Sequence, residues 1–300
     1  MNNVLTLIGN PANGGLPASA VAQARDALAG TGADLAATDW LAPDIACDIG
    51  FDGVAAAAAQ DAVAAQLGEA RLDLYAGAAQ GRRKRLLVAD MDSTIISVEC
   101  IDELAEFAGK RAQVAAITER AMRGELDFPS ALRERARMLA GLDEQVLADA
   151  FIDRVRLNPG ARTLVMTMRA HGAVTALVSG GFTYFTSRVR ALAGFDLDRA
   201  NTLEIAGGRL AGRVAEPILG ADAKLAALQE LTAKHGLAPS ETLAVGDGAN
   251  DLPMIRAAGL GVAYRAKPVV AAAARARINH ADLTGLLYLQ GYRLGEFSKD

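Results

Sequence analysis

The chain predicts an α/β fold: a doubly wound parallel sheet with an inserted helical segment, preceded by a smaller βαββαβ unit. Three observations carry the prediction. Beyond residue 158, apolar strand-like runs alternate with helical stretches, the pattern of a parallel sheet. Polar clusters recur where such runs end, at residues 90–92, 179–181 and 247–251, and the carboxyl edge of an open α/β sheet is where ligands bind. Residues 1 to about 80 follow an element order of their own.

That first unit reads as a strand over 4–8, a helix over 17–29, strands over 33–41 and 45–51, a helix over 53–67 and a strand over 71–75. The order is ferredoxin-like, and it resembles the ACT domain, an amino-acid-sensing module. The alanine-rich stretch 54–65 has a spacing that suits a helix packed on a sheet.

Leu86 to Ala89 are four apolar residues with the composition of a buried strand. The chain is then mainly helical to about residue 155, with Arg133, Glu134, Arg135 and Arg137 closely spaced, until Asn158, Pro159 and Gly160 punctuate it. A helix ending at 170, a strand over 174–178, a Gly-Gly turn near 207 and a strand over 242–245 follow. The helical stretch is therefore an insertion after the strand that ends at Ala89.

Composition narrows the class. Three hundred residues at 51% hydrophobic content are enough for two cored domains. With 31 basic against 35 acidic residues there is no overall pull towards nucleic acid. The run Arg82, Arg83, Lys84, Arg85 reads as a solvated linker. The amino terminus has a five-residue apolar run and no basic stretch before it, so it resembles a strand more than a signal peptide. No segment has the roughly 18 apolar residues of a membrane span. Cys47 and Cys100 are isolated, and these features together point to the cytoplasm.

The candidate site starts at Asp90 and Asp92, one residue apart at a strand end. Either Asp92 or Ser93 could simply cap a helix. A calcium loop fails, because Ile95 and Ile101 stand where its glycine and glutamate belong. "ALVSGGF" sets Ser179, Gly180 and Gly181 after one strand, and "TLAVGDGAND" sets Asp247, Asn250 and Asp251 after another, with Lys224 between them. Each has an ordinary reading as a cap, a turn or a solvated lysine. Their recurrence at the strand ends of one sheet is harder to explain that way. No P-loop and no GxGxxG is present, Leu177 removes a nucleophile elbow around Ser179, and His171, His235 and His280 are scattered.

Asp-Met-Asp-Ser-Thr, Ser179, Lys224 and Gly-Asp-Gly-Ala-Asn-Asp, in that order, resemble the motifs of the haloacid dehalogenase superfamily. Within it, Glu99, "DFPSALRERARMLAGL", "VSGGFTYF" and "DLTGLLYLQGY" resemble the phosphoserine phosphatase branch over most of residues 86–295. The resemblance implies a Rossmann-like core over 86–300, with a helical cap at about 98–157. It also implies hydrolysis of L-phosphoserine to L-serine and phosphate, the last step of serine biosynthesis. Asp90 would be the nucleophile and Asp92 the acid and base, with Ser179 and the neighbouring backbone, Gly180 included, on the phosphoryl oxygens and Lys224 offsetting charge. Asp90, the backbone carbonyl of Asp92, and Asp247 would ligate Mg²⁺. Asn250 would bind at the substrate site or, with Asp251, support Lys224 or the metal's outer shell. Glu99 would meet the substrate ammonium, Arg135 its carboxylate, and Phe128 would close the pocket. The ACT-like unit implies a homodimer.

Elementary electrostatics agrees with a metal. If three carboxylates converge, each pair about 4 Å apart repels by about 4 kcal/mol at an effective dielectric near 20. Such a cluster needs a cation or takes up protons. Two other readings stand beside this one: a phosphatase or phosphotransferase for another small phosphomonoester, and a non-catalytic amino-acid sensor. Loss of a motif acid would favour the sensor, and none is lost.

Overall fold

The structure, a computed structural model, describes residues 1–122 and 125–298. Strands β1 (Asn3–Gly9), β2 (Asp34–Ala42), β3 (Ala46–Asp52) and β4 (Leu72–Ala78) form an antiparallel sheet in the order β2-β3-β1-β4. Helices α1 (Ala18–Gly30) and α2 (Ala56–Leu67) cover one face. Strand side chains alternate with a period of two. Leu5, Leu7, Cys47, Ile49 and Phe51 therefore turn to the helices, where they meet Ala24, Leu28, Ala59 and Val63.

The opposite face, carrying Thr6, Ile8 and Asp48, docks on the rest of the chain. Here the expectation of a solvated linker is corrected for Arg82 and Lys84, whereas Arg83 and Arg85 are exposed. Arg82 pairs with Asp48 and donates from Nη2 to Thr6 Oγ1 at 2.8 Å and to the Tyr288 carbonyl at 3.1 Å. Lys84 Nζ donates to the carbonyls of Gly81 and Ser240 at 2.9 and 2.7 Å. A run of cations ordinarily favours water, but the buried Asp48 carboxylate and backbone carbonyls offset the desolvation. Across the same junction, Asp73 accepts from three successive backbone N–H groups, those of Asn279, His280 and Ala281.

The second unit opens with β5 (Leu86–Ala89), followed by helices α3 (Cys100–Phe107), α4 (Arg111–Met122), α5 (Phe128–Met138) and α6 (Gln145–Arg154). Helix α7 (Ala161–Ala170) leads to β6 (Val174–Phe182), then α8 (Thr183–Ala193) and β7 (Leu197–Asn201). A hairpin, β8 (Leu203–Ala206) and β9 (Arg209–Val214), precedes α9 (Ala221–Lys234) and β10 (Thr242–Gly246). The chain continues through α10 (Leu252–Ala257), β11 (Leu260–Tyr264), α11 (Pro268–Ala273), β12 (Ala276–Ile278) and α12 (Gly285–Leu289).

Six of these strands form one sheet, β12-β11-β10-β5-β6-β7, parallel at every pairing. Leu87, Ala89, Leu177 and Val245 pack with α7 and α8 on one face, and Leu86, Val88, Ala176 and Ala244 pack with α9 and α10 on the other. Strand order reverses between β5 and β10, which creates the crevice where ligands of doubly wound sheets bind.

Two features go beyond the sequence reading. Strand β6 runs to Phe182 instead of ending near 178, because Ser179, Gly180 and Gly181 continue it through a break in its register with β7. The Gly-Gly turn near 207 belongs to the hairpin β8-β9, which joins the helical insertion: Gly141 N–H donates to the Leu210 carbonyl and Leu210 N–H to the Leu142 carbonyl, both at 2.9 Å. Among the described residues, no helix is long and apolar enough to cross a membrane.

Candidate active site

Asp90 leaves β5 next to the end of β10, and its N–H donates to the Val245 carbonyl at 3.0 Å. Asp247 follows β10. The adjacency of these acids is thus a consequence of the strand order reversing there. In the turn after Asp90, Asp92 is extended and Ser93 takes φ 55°, in the left-handed region. Lys224 lies in the first turn of α9 and Ser179 on β6.

Lys224 is 1% exposed, and its Nζ lies 2.6 Å from Asp90 Oδ1 and 2.6 Å from Asp251 Oδ1. Carboxylate oxygens of Asp90, Asp247 and Asp251 lie within 4.8 Å of one another. One ammonium cannot neutralise three buried carboxylates. Burial, then the charge of Asp251, therefore raise Asp90 well above the usual carboxylate range. Asp247 is pushed up to about 6 by the same two causes. Burial alone would lower Lys224, but the charges of Asp251 and Asp90 outweigh it and keep the ammonium protonated.

Asp92 faces a different way. Its Oδ1 accepts the Cys100 N–H at 3.1 Å, and its Oδ2 lies 3.5 Å from Ser179 Oγ, which in turn accepts the Gly181 N–H at 2.9 Å. A Cβ placed on Gly181 would stand 2.7 Å from Asp92 Oδ2, so this glycine is required for the close approach. Burial, then the charge of Glu99, push Asp92 up to about 7. Asp90 and Asp92, one residue apart, are thus held in two environments, one against an ammonium and one against a hydroxyl.

The inserted helices bring their residues over this edge. Glu99 accepts from Ser93 Oγ at 2.8 Å. Arg135 is half-buried, and burial, opposed by Asp102, Glu99 and Asp92, lowers its guanidinium. Its Nε donates to the Ala131 carbonyl of its own helix at 3.4 Å, and among the described residues no carboxylate pairs with it. Phe128 sits over two glycines: a Cβ on Gly180 or Gly220 would stand 2.8 or 3.2 Å from its ring. The Asn250 side chain lies over Gly248, whose N–H donates to Asp251 Oδ2 at 3.0 Å.

Comparison with known proteins agrees with this geometry. The family model described as haloacid dehalogenase-like hydrolase matches residues 87–256. The chain belongs to the haloacid dehalogenase-like hydrolases. It is 41% identical over 293 residues to a phosphoserine phosphatase of Streptomyces coelicolor, covering 96% of this chain and 70% of the relative. A phosphoserine phosphatase of Polaromonas sp. is 46% identical over 210 residues, 68% of this chain and 89% of the relative. A solved structure described as a probable phosphoserine phosphatase from Vibrio cholerae, in unliganded form, superposes with a TM-score of 0.79 at 34% identity, covering 98% of this chain and 88% of that one.

In this haloacid dehalogenase-like hydrolase the carboxylates of Asp90, Asp247 and Asp251 can hold a metal ion, and a donor set of oxygen alone suits a hard divalent cation. Asp251, expected to support Lys224 or the metal's outer shell, bonds Lys224 and also stands inside the acidic group. The Asp92 carboxylate lies outside that group.

Sequence reasoning passed over the residues that hold the loop. Asn158 Nδ2 donates to the carbonyls of Thr94 and Ile96 at 2.7 and 3.1 Å, and Ser93 orients Glu99. Asn158, read only as turn punctuation beside Pro159, carries no local signal of that task.

Proposed function

We propose that this chain is a phosphoserine phosphatase that uses Mg²⁺ and passes through an aspartyl-phosphate on Asp90. The observation that carries the reading is that two opposite charges act on the surroundings of Asp92: Glu99, which accepts from Ser93 and whose charge raises Asp92, and Arg135, which feels Asp102, Glu99 and Asp92 but among the described residues pairs with no carboxylate. A phosphate monoester with an ammonium and a carboxylate on its short alkyl group supplies the missing partner of each. The names of the relatives point the same way.

Asp90 attacks phosphorus, the ester P–O bond breaks, and the proton of Asp92 goes to the departing alkoxide. Asp92, now a carboxylate, takes a proton from the water that cleaves the phosphoryl–Asp90 bond, which releases phosphate and restores both acids. A value of about 7 for Asp92 suits both halves of that exchange. Ser179 Oγ, with the N–H groups beside it, holds the phosphoryl oxygens, and Lys224 opposes the like charges of Asp90 and the phosphate. Asp90, Asp247 and the Asp92 carbonyl would hold the Mg²⁺, which would supply positive charge against the acidic group and the phosphoryl oxygens. Asn250 lines the substrate site, and Asp251 holds Lys224 in place.

We further assign residues 98–157 to a cap, residues 1–80 to an ACT-like domain that pairs two chains, and the reaction to the cytoplasm. The sheet order β2-β3-β1-β4 supports a ferredoxin-like unit in the first of these regions. Phosphate release across a panel of phosphorylated metabolites, with Mg²⁺ and with chelator, tests the activity. L-phosphoserine should give the highest kcat/KM, and only with the metal. Preference for an ester lacking either the amine or the carboxylate would overturn the substrate assignment.

A further inference from the structure

Asn201, at the carboxyl end of β7, is 2% exposed, and its amide is bonded to the backbone of β6 and of the stretch that precedes α9. Nδ2 donates to the Gly180 carbonyl at 2.9 Å and the Leu219 carbonyl at 3.1 Å, and Oδ1 accepts the Leu219 N–H at 2.7 Å. Gly180 lies where β6 breaks register with β7, and pairing resumes at Phe182 against Asn201 itself. Leu219 precedes Gly220, whose carbonyl accepts the N–H groups of Ala223 and Lys224 at 3.2 and 3.3 Å. One side chain therefore sets the gap between the Ser179–Gly181 end of β6 and the start of the helix that carries Lys224.

Phe128 spans that same gap. Its ring is the nearest neighbour of a Cβ built on Gly180 and of one built on Gly220. The tethers of Asn201 end at the first glycine and at the residue before the second. The seat beneath the ring is thus made of backbone that has no side chains of its own to hold it, so its width depends on what lies below.

We propose that Asn201 is a positioning residue: by holding Gly180 and Leu219 at a fixed separation it forms the seat for Phe128, and so governs closure of the helical segment over the site. The activity readout of this proposal rests on the phosphatase reading above. A buried amide with a merely structural role would lower stability and act independently of Phe128. A seat acts through the ring it receives.

The test is a double-mutant cycle of Asn201→Ala and Phe128→Ala in the full chain, on whichever phosphomonoester the parent turns over with Mg²⁺. Each single change should lower kcat/KM by roughly 10- to 100-fold, the scale of a small displacement away from the chemistry. The double variant should be little worse than Phe128→Ala alone, because contacting residues that act together are non-additive. Losses that multiply would overturn the proposal. Asn201→Asp repeats the cycle if the alanine variant does not fold, since it keeps the volume and the acceptor for Leu219 but has no N–H for Gly180. Hydrogen exchange over residues 127–138 reads the seat without any activity. It should quicken in the Asn201 variants, and unchanged exchange would overturn the proposal even if the parent hydrolyses no phosphomonoester.

Discussion

Lys224 Nζ lies 2.6 Å from Asp90 Oδ1, with both side chains almost wholly removed from water. The ammonium is the one cation bonded to the acidic group at that distance among the described residues, and it is shared with Asp251. Lys224→Met keeps most of the volume and removes the charge. Breaking a buried pair from one side costs about 3–5 kcal/mol, because the remaining carboxylates are left without compensation. Urea unfolding in chelator should show a loss of that size, and Mg²⁺ should recover part of it. A loss no larger than that of an exposed pair, about 1 kcal/mol or less, would show that Lys224 does not balance the site.

Stability should also depend on pH in a direction set by the raised acids. Asp92 and Asp247 lie at about 7 and about 6 in the folded protein, above the roughly 3.9 of an unfolded aspartate. In that window the native state binds protons more tightly than the unfolded chain. Their stabilising contribution is whole below about pH 4 and is lost as pH rises through 6 and 7. Without metal, Tm should fall between about pH 5 and about pH 8. Saturating Mg²⁺ should raise Tm most at the alkaline end, since a cation replaces the protons. A Tm that climbs with pH in chelator would contradict the crowding of these acids.

The proposed proton transfer from Asp92 predicts sensitivity to the leaving group. Asp92→Asn removes the proton donor but leaves Asp90 in place, so an aryl phosphate, whose leaving group needs little protonation, should suffer less than L-phosphoserine. General acid catalysis typically contributes about 10²- to 10⁴-fold, which bounds the difference between the two substrates. Equal losses in kcat would remove the acid role.

Arg135 should matter only for a substrate that carries a carboxylate. A charge-assisted hydrogen bond is worth about 1.5–3 kcal/mol, so Arg135→Ala should lower kcat/KM for L-phosphoserine by roughly 10- to 100-fold. The same change should hardly touch an aryl phosphate. Parallel losses on both would mean that Arg135 supports the fold of the insertion instead of the substrate.

What was legible in advance follows physical lines. Leu86–Ala89 followed by Asp90 was readable, because a short apolar run must be buried and an acid at its end marks the sheet edge. Alternation pointed to a parallel sheet and to three of its six strands, β5, β6 and β10, while β7, β11 and β12 were not singled out, and the first unit's elements fell within a few residues of their observed limits. Residues whose work is done by a side chain reaching distant backbone left no such mark. Asn158 and Asn201 look like ordinary loop polars, because nothing local distinguishes an amide that bridges loops from one that faces water. Arg82 looked solvated for the same reason, since its partners Thr6 and Asp48 are far away in the chain. The hairpin β8-β9 showed only its glycines, and the break in β6 at Gly180 only its Gly-Gly pair.

Asp90→Asn tests the central claim most directly, because the amide keeps the shape of the side chain but is a poor nucleophile. Phosphate release from L-phosphoserine should be followed with saturating Mg²⁺ on a variant whose circular dichroism matches the parent. The account predicts a fall in kcat of at least about a thousandfold, the scale on which removal of a nucleophile acts. Turnover within about tenfold of the parent would contradict it and remove the aspartyl-phosphate from the mechanism.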